Sequence, residues 1–347
     1  SLSWDYKSNH PCKFGKKIIV NNLVSYTQWG FTQNTTISFV SVTTNPSITT
    51  PDSRPVIYDN HGRPITYLRL AVTDRCNLRC FYCMPEEGIK YLHKSKLLSY
   101  EEMLRIVGVL AELGVHKVRI TGGEPFVRNN LVDFLYRLAD IQGIDELNIT
   151  TNGVLTGQYL KQMKEIGIRS VNLSLDTLDA QRFFEITRRD EFSKVYQTLF
   201  DLLDAGFDVK INAVVMDGKN TDDILPLVAL TEHYPVAVRF IEEMPFNGEG
   251  SHYPVLHWNI HRILETIRGT YPSLSKIEDA PHSTSYNYHV PGFKGNIGVI
   301  AAFSRTFCGT CNRIRMTAQG ELKTCLYDEG IFSIRDLLRS TNDDRLV

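Results

Sequence analysis

The chain has seven cysteines, and six of them fall into two groups of three. Cys76-Asn-Leu-Arg-Cys80-Phe-Tyr-Cys83 is a CxxxCxxC loop, while Cys308-Gly-Thr-Cys311 is joined by Cys325 after thirteen intervening residues. Thiolates are soft ligands that suit iron–sulfur clusters, and in a reducing compartment clustered cysteines mark metal sites more often than disulfides. Three thiolates hold three irons of a [4Fe–4S] cubane and leave the fourth iron open to an exogenous ligand, as a catalytic metal site requires. Tetrahedral zinc is the alternative, and it wants a fourth ligand. His61 and His93 have no finger-like spacing to the first triad, and His282 or His289 would have to complete the second. Cys12 stands alone, with no role.

Two other groups carry chemistry. Thr121-Gly122-Gly123-Glu124-Pro125 ends a predicted strand, where glycines let the backbone approach a ligand closely or make a plain strand-to-helix turn. Directly after Cys311 comes Asn312-Arg313-Ile314-Arg315. Residues i and i+2 of a strand share a face, so Arg313 and Arg315 form one cationic clamp beside the second triad. Arginine matches phosphate oxygens through paired hydrogen bonds; a solvated basic patch is the plainer reading of such a pair.

The elements that position these groups alternate. Predicted strands at Tyr67–Val72, Lys117–Thr121, Glu146–Thr150, Ser170–Ser174, Phe207–Val215 and Val236–Ile241 are separated by helical patterns. The helix Ser99–Leu113 opens on a capping box, Ser99 to Glu102. Strands alternating with helices imply a parallel sheet, and six short units fit a partial (βα)6 TIM-like barrel whose ligands sit at the carboxyl ends of the strands. Residues 56–245 form this core, and 246–347 read as a C-terminal α+β appendage packed on it. Residues 1–55, rich in Ser, Thr and Asn, read as a poorly ordered extension.

Composition bounds the function. With 347 residues, 42% hydrophobic and 22% charged, the chain reads as a globular protein in water. A formal net charge of −1 provides no global basic field for nucleic acid, so an anionic ligand must be held by local cations. No apolar run is long enough to span a bilayer, and the N-terminus lacks a signal-peptide pattern, so a cytoplasmic protein without membrane contact is expected.

CxxxCxxC after the first strand of a βα array resembles the radical S-adenosylmethionine superfamily, and TGGEP resembles that superfamily's GGEP motif. Adding CxxC-N-R-x-R and the later cysteine, the segment Ile57–Tyr327 resembles the GTP 3′,8-cyclases of molybdenum cofactor biosynthesis, including Asn60-His61-Gly62-Arg63 and Leu68–Asp74. The resemblance implies two [4Fe–4S] clusters, on Cys76, Cys80 and Cys83 and on Cys308, Cys311 and Cys325. It implies S-adenosylmethionine contacts from Tyr82, Gly123, Ser174 and Met244, and GTP contacts from Arg69, Arg119, Thr150, Lys210, Arg313 and Arg315. It further implies that a 5′-deoxyadenosyl radical takes hydrogen from the ribose 3′ carbon of GTP, and that the carbon radical closes on C8 of guanine. An electron donor, a downstream cyclic pyranopterin monophosphate synthase and a homodimer are the implied partners. Arg69, Arg119, Lys210, Arg313 and Arg315 are expected near strand ends or the second cluster, where a charge inside a strand is costly without a partner.

Where the family ends in a Gly-Gly tail, this sequence reads Asp344-Arg345-Leu346-Val347, so a truncated C-terminal segment is expected. The rival readings are a radical enzyme that modifies a peptide and carries an auxiliary cluster, and a non-catalytic iron–sulfur or zinc protein.

Overall fold

Every predicted strand is short and alternates apolar with polar residues, and that alternation builds the molecule. The computed structural model describes residues 55–59, 62–244, 256–304, 308–325 and 332–340. The extension before residue 55, Cys12 and the terminal Asp344–Val347 lie outside the described residues. The core runs β1 (Tyr67–Ala71), α1 (Tyr100–Glu112), β2 (Lys117–Thr121), α2 (Leu131–Ala139), β3 (Glu146–Thr151), α3 (Leu160–Ile166), β4 (Ser170–Ser174), α4 (Ala180–Thr187), α5 (Phe192–Asp204), β5 (Asp208–Val215), α6 (Ile224–His233) and β6 (Ala237–Glu242). There follow α7 (Ile260–Thr270), β7 (Ser275–Lys276), β8 (Tyr286–His289), β9 (Asn296–Ile300), β10 (Arg313–Met316), β11 (Glu321–Lys323), β12 (Phe332–Ser333) and α8 (Ile334–Ser340). The capping box of α1 forms as read: Glu102 N–H donates to Ser99 Oγ and Ser99 N–H donates to the Glu102 carboxylate.

Among the described residues, β1 to β12 belong to one 12-stranded sheet, in the order β12-β11-β10-β1-β2-β3-β4-β5-β6-β9-β8-β7. β10 pairs parallel with β1 and β9 pairs parallel with β6. The C-terminal segment, which the sequence places as an appendage packed on the barrel, both packs α7 on α6 and extends the sheet at its two edges. Parallel pairing explains this, because each edge of the βα core offers unpaired backbone groups that must be satisfied.

One face of the sheet is apolar. Leu68 and Leu70, Val118 and Ile120, Val171 and Leu173, and Val238 and Phe240 are fully buried and pack in one cluster with Met103, Val107, Leu135 and Leu199 of the helices. The opposite face holds Tyr67, Arg69, Arg119, Asn148, Asn172, Lys210, Asn212, Arg239 and Arg315, because period-two alternation leaves them no other side. That polar face is concave. A flat sheet would hold β2 and β6 four strand spacings apart, about 19 Å at ~4.8 Å each. Yet Arg239 on β6 lies near enough to Arg119 on β2, Tyr67 on β1 and Arg313 on β10 for their charges to act on it. The sheet therefore curls into a partial barrel with a polar lumen.

Candidate active site

The lumen gathers cations in register. Arg69 stands opposite Arg119 on one side and Arg315 on the other. Burial, reinforced by the like charge of Arg315, lowers Arg69 to about 9. Arg239 is lowered to about 10 by burial and then by Arg119, and Arg315 is lowered by burial and then by Arg313. Nε of Arg69, Arg239 and Arg313 is buried without a hydrogen-bond partner among the described residues. Oγ1 of Thr150 and Oδ1 of Asn148, Asn172 and Asn212 are in the same state. An unpaired buried polar group costs about 1–3 kcal/mol, so a lumen lined by so many is built to meet an anion that also carries hydrogen-bond donors.

Some cations already have partners. Arg119 Nε donates to Tyr67 Oη at 2.5 Å, and the guanidinium of Arg313 lies 5.8 Å from the Tyr67 ring centroid. Burial would raise the Tyr67 phenol, but Arg119, Arg69 and Lys117 outweigh it and hold it below its ordinary value. Lys210 donates to Ser170 Oγ at 2.8 Å and pairs with Asp208; burial still leaves its ammonium below the usual lysine value.

The first cysteine triad leaves the carboxyl end of β1. Cys76 and Cys80 are half-buried and Cys83 is exposed. Burial raises all three thiols; Glu124 and then Cys83 push Cys76 up further, and Asp176 and then the other two cysteines do the same to Cys80. Backbone and side-chain donors serve the loop: Leu78 N–H reaches Cys76 Sγ at 3.4 Å and Asn152 Nδ2 reaches it at 3.7 Å. The end of α4 clamps the loop, with Arg79 N–H and Phe81 N–H donating to the carbonyls of Thr187 and Ile186. Arg188, in the left-handed conformation at φ 56°, caps that clamp by donating to Met84 O at 3.0 Å.

TGGEP packs directly against this loop. Gly123 N–H donates to Thr73 O and Glu124 N–H to Arg75 O. A Cβ on Gly122, at φ 153°, would stand 2.7 Å from Thr73 O, and one on Gly123 would strike the Arg75 carbonyl. The glycines expected to approach a ligand are thus required first by the cysteine loop itself. Glu124, buried and raised to about 7 by that burial, accepts from Phe126 N–H, Asn152 N–H and Thr151 Oγ1. Through Asn152 it supports Cys76.

Tyr82 lies within the loop, and its hydroxyl donates to Asp176 Oδ2 at 2.9 Å. Burial raises Asp176 to about 6 and keeps the Tyr82 phenol well above its ordinary value; Val214 N–H donates to the other Asp176 oxygen. Ser174 ends β4 half-buried, opposite Asn212, and Met244 is half-buried two residues past β6.

The second triad sits at the other end of the lumen. A short turn over Cys308–Thr310 leads through Cys311 into β10; the Cys308 side chain lies outside the described residues. Cys311 and Cys325 lie near enough to Arg315 to favour its charged form, against the burial and the like charge of Arg313 that lower it. Asn312 fastens this segment to the approach to β1, its Nδ2 donating to Thr66 Oγ1 at 2.9 Å. Because β1 and β10 are parallel, the first triad lies past the carboxyl end of β1 and the second ahead of the amino end of β10. Five residues at about 3.3 Å each place roughly 17 Å of cation-lined lumen between them.

Arg69 and Arg119 are the middle residues of β1 and β2, inside the lumen. Two histidines weighed as zinc ligands for the second triad have hydrogen-bond partners. His282 Nδ1 donates to Thr310 O at 2.8 Å, His289 Nδ1 lies against Gly295 O and Asn296 Oδ1, and His61 is outside the described residues. Among the described residues no three His, Cys, Asp or Glu side chains converge on one ion. Thiolates that each hold a different iron of a cubane need not converge in that way.

Sequence reasoning missed Arg239, Asn148, Asn172, Asn212, Asp176 and Asn152. The signal for the first four was the alternation itself: AVRFI, ELNIT, SVNLS and DVKIN place each beside the cations on the polar face.

Residues 70–231 match the Radical SAM superfamily, residues 236–347 match Molybdenum Cofactor Synthesis C, and residues 1–50 match a domain of unknown function, DUF4942. The GTP 3′,8-cyclase of Peptoclostridium acidaminophilum is 40% identical over 299 residues, which cover 85% of this chain and 90% of that protein. This chain belongs to the GTP 3′,8-cyclase family. Molybdenum cofactor biosynthesis protein 1 of Bos taurus is 43% identical over 289 residues, 81% of this chain but 44% of that protein, so the chain spans under half of that relative. Streptococcus suis SuiB shares the fold, with a TM-score of 0.56 at 17% identity over 82% of this chain and 68% of SuiB. As a radical SAM chain, this member of the cyclase family carries the superfamily's requirement for a [4Fe–4S] cluster and S-adenosylmethionine. No helix among its described residues is long and apolar enough to cross a membrane.

Proposed function

We propose that this chain is a radical S-adenosylmethionine GTP 3′,8-cyclase that turns GTP into 3′,8-cyclo-7,8-dihydro-GTP. The observation that carries the reading is the row of register partners Arg315, Arg69 and Arg119, with Nε of Arg69 buried and unpaired among the described residues, between two cysteine triads. Cys76, Cys80 and Cys83 would hold the first cluster, which, when bound, supplies the electron that cleaves S-adenosylmethionine. Tyr82, Gly123, Ser174 and Met244 are the assigned contacts of that cofactor. Cys308, Cys311 and Cys325 would hold a second cluster. Arg69, Arg119, Lys210, Arg313 and Arg315, to which Arg239 is added, neutralise the triphosphate. Thr150 and the asparagines of β3, β4 and β5 accept from hydroxyl and amine donors, because a carbonyl oxygen facing a phosphate oxygen would repel it. The curled sheet excludes water, which protects a carbon radical from quenching.

Residues 56–245 are the core unit in this reading, 246–347 bring the second site, and 1–55 are an added segment. Thiolate-held clusters call for a reducing, cytoplasmic setting. A one-electron donor and a downstream cyclic pyranopterin monophosphate synthase are the partners it implies.

The test is an anaerobic assay of the iron- and sulfide-reconstituted chain with GTP, S-adenosylmethionine and a reductant. Cyclised GTP and 5′-deoxyadenosine are expected together. Zinc in place of iron, or 5′-deoxyadenosine that appears with a peptide and never with GTP, overturns the reading. Arg313→Ala is expected to weaken GTP binding about tenfold or more, as loss of a charged hydrogen-bond donor does, while GTP-independent 5′-deoxyadenosine formation persists.

A further inference from the structure

Glu242 breaks the rule by which the sheet is built. It ends β6 on the same side as Val238 and Phe240, the apolar side that packs against helices, and it is 0% exposed. A buried carboxylate on such a face is costly unless its oxygens are satisfied. They are satisfied by two segments distant in sequence. Oε1 accepts from Ile260 N–H at 3.0 Å, the first residue of α7. Oε2 accepts from Phe303 N–H at 3.1 Å and Ser304 N–H at 2.9 Å, and Ser304 Oγ lies 3.0 Å from each oxygen.

Phe303 and Ser304 leave the end of β9 and precede Cys308 by only a few residues. On the other side, Glu242 lies two residues before Met244. One carboxylate thus ties the carboxyl end of a core strand to the start of α7 and to the segment that carries the second triad. Apolar packing cannot do this, because Phe303 N–H and Ser304 N–H point from irregular backbone and need an acceptor in a fixed place.

We propose that Glu242 is a positioning residue: it sets where the second cysteine segment departs from the sheet and so holds the second site in line with the first. The proposal rests on the two-cluster cyclase reading, and its test separates the two.

The full chain is reconstituted anaerobically as Glu242→Gln and Ser304→Ala beside the unsubstituted protein. Gln keeps the shape but puts an NH2 where an oxygen now accepts, so donor faces donor. Glu242→Gln is expected to retain the circular dichroism spectrum and GTP-independent 5′-deoxyadenosine formation. Its iron is expected to fall from about eight per chain toward four, the content of a single cubane. Its affinity for GTP is expected to fall about tenfold or more, the factor that ~1.4 kcal/mol carries. Ser304→Ala, which keeps both backbone donors, shows a smaller loss of the same kind.

A Gln variant that keeps all its iron and binds GTP like the unsubstituted chain overturns the proposal. So does a variant that loses 5′-deoxyadenosine formation together with GTP binding, since the carboxylate would then serve the fold as a whole. Should Gln prevent folding, Ser304→Ala decides, and unchanged iron and GTP affinity there overturn the proposal. An unsubstituted chain that takes up only four irons overturns the two-cluster reading instead; GTP affinity of the Gln variant then still decides the positioning role.

Discussion

Asp176 and Tyr82 show how one hydrogen bond can organise a cofactor loop. Tyr82 lies between Cys80 and Cys83, and the aspartate that receives its hydroxyl is 94 residues away. Asp176 is buried and raised by that burial to about 6, so its remaining charge depends on the donors it holds. Tyr82→Phe leaves Oδ2 unpaired and is expected to cost about 1–3 kcal/mol. Denaturant unfolding of the apo-protein measures it. In a double-mutant cycle with Asp176→Asn, the two losses should be strongly non-additive; additive losses would mean the bond does not form in solution. Nothing in the sequence marks this pair, because its partners come from different strands' ends. The grouping of Cys76, Cys80 and Cys83 and the shared face of Arg313 and Arg315, by contrast, are visible in the sequence itself, since they depend on neighbours in the chain.

At the scale of elements, the strands and helices of the core were readable almost to the residue. Capping at Ser99 and the glycines in TGGEP are local signals, and local signals survive folding. What stayed hidden was the reason for the glycines. Gly123→Ala would push a methyl group onto the carbonyl of Arg75 and within 3.1 Å of Cys76 N, so the backbone of the cysteine loop must move. The expected result is loss of iron from the first site with the second retained, read by iron content and by the electron paramagnetic resonance spectrum. Equal loss at both sites would place the damage in the fold rather than the loop. The lumen residues Arg239, Asn172 and Asn212 were visible only to a reader who carried period-two alternation through all six strands and asked what the polar side faced.

For the whole molecule, the sheet decides how many units there are. β9 and β10 sit against β6 and β1, so the C-terminal segment is stitched into both edges of the core. Unfolding is therefore expected as one transition. Far-ultraviolet circular dichroism, which follows the βα core, and the fluorescence of Trp258, which donates to Asp217 Oδ1 at 2.8 Å, should lose signal at the same denaturant concentration. Two separated midpoints would mean that the C-terminal segment unfolds on its own. Composition and pattern divided the chain near residue 245 because the alternation stops there; strand pairing between remote segments has no signature in a single sequence.

The pairing of β1 with β10 also has a consequence for the order in which the molecule is made. Tyr67 is synthesised long before its register partner Arg313. At ordinary translation rates, on the order of 5–20 residues per second, β1 waits about 12 to 50 seconds with one edge unpaired. During that interval Arg69 faces water rather than Arg315, and the strand edge is open to any extended chain nearby. The nascent protein is most vulnerable on the strand that later separates its two cysteine triads, and a chaperone that shields an extended edge would act there first.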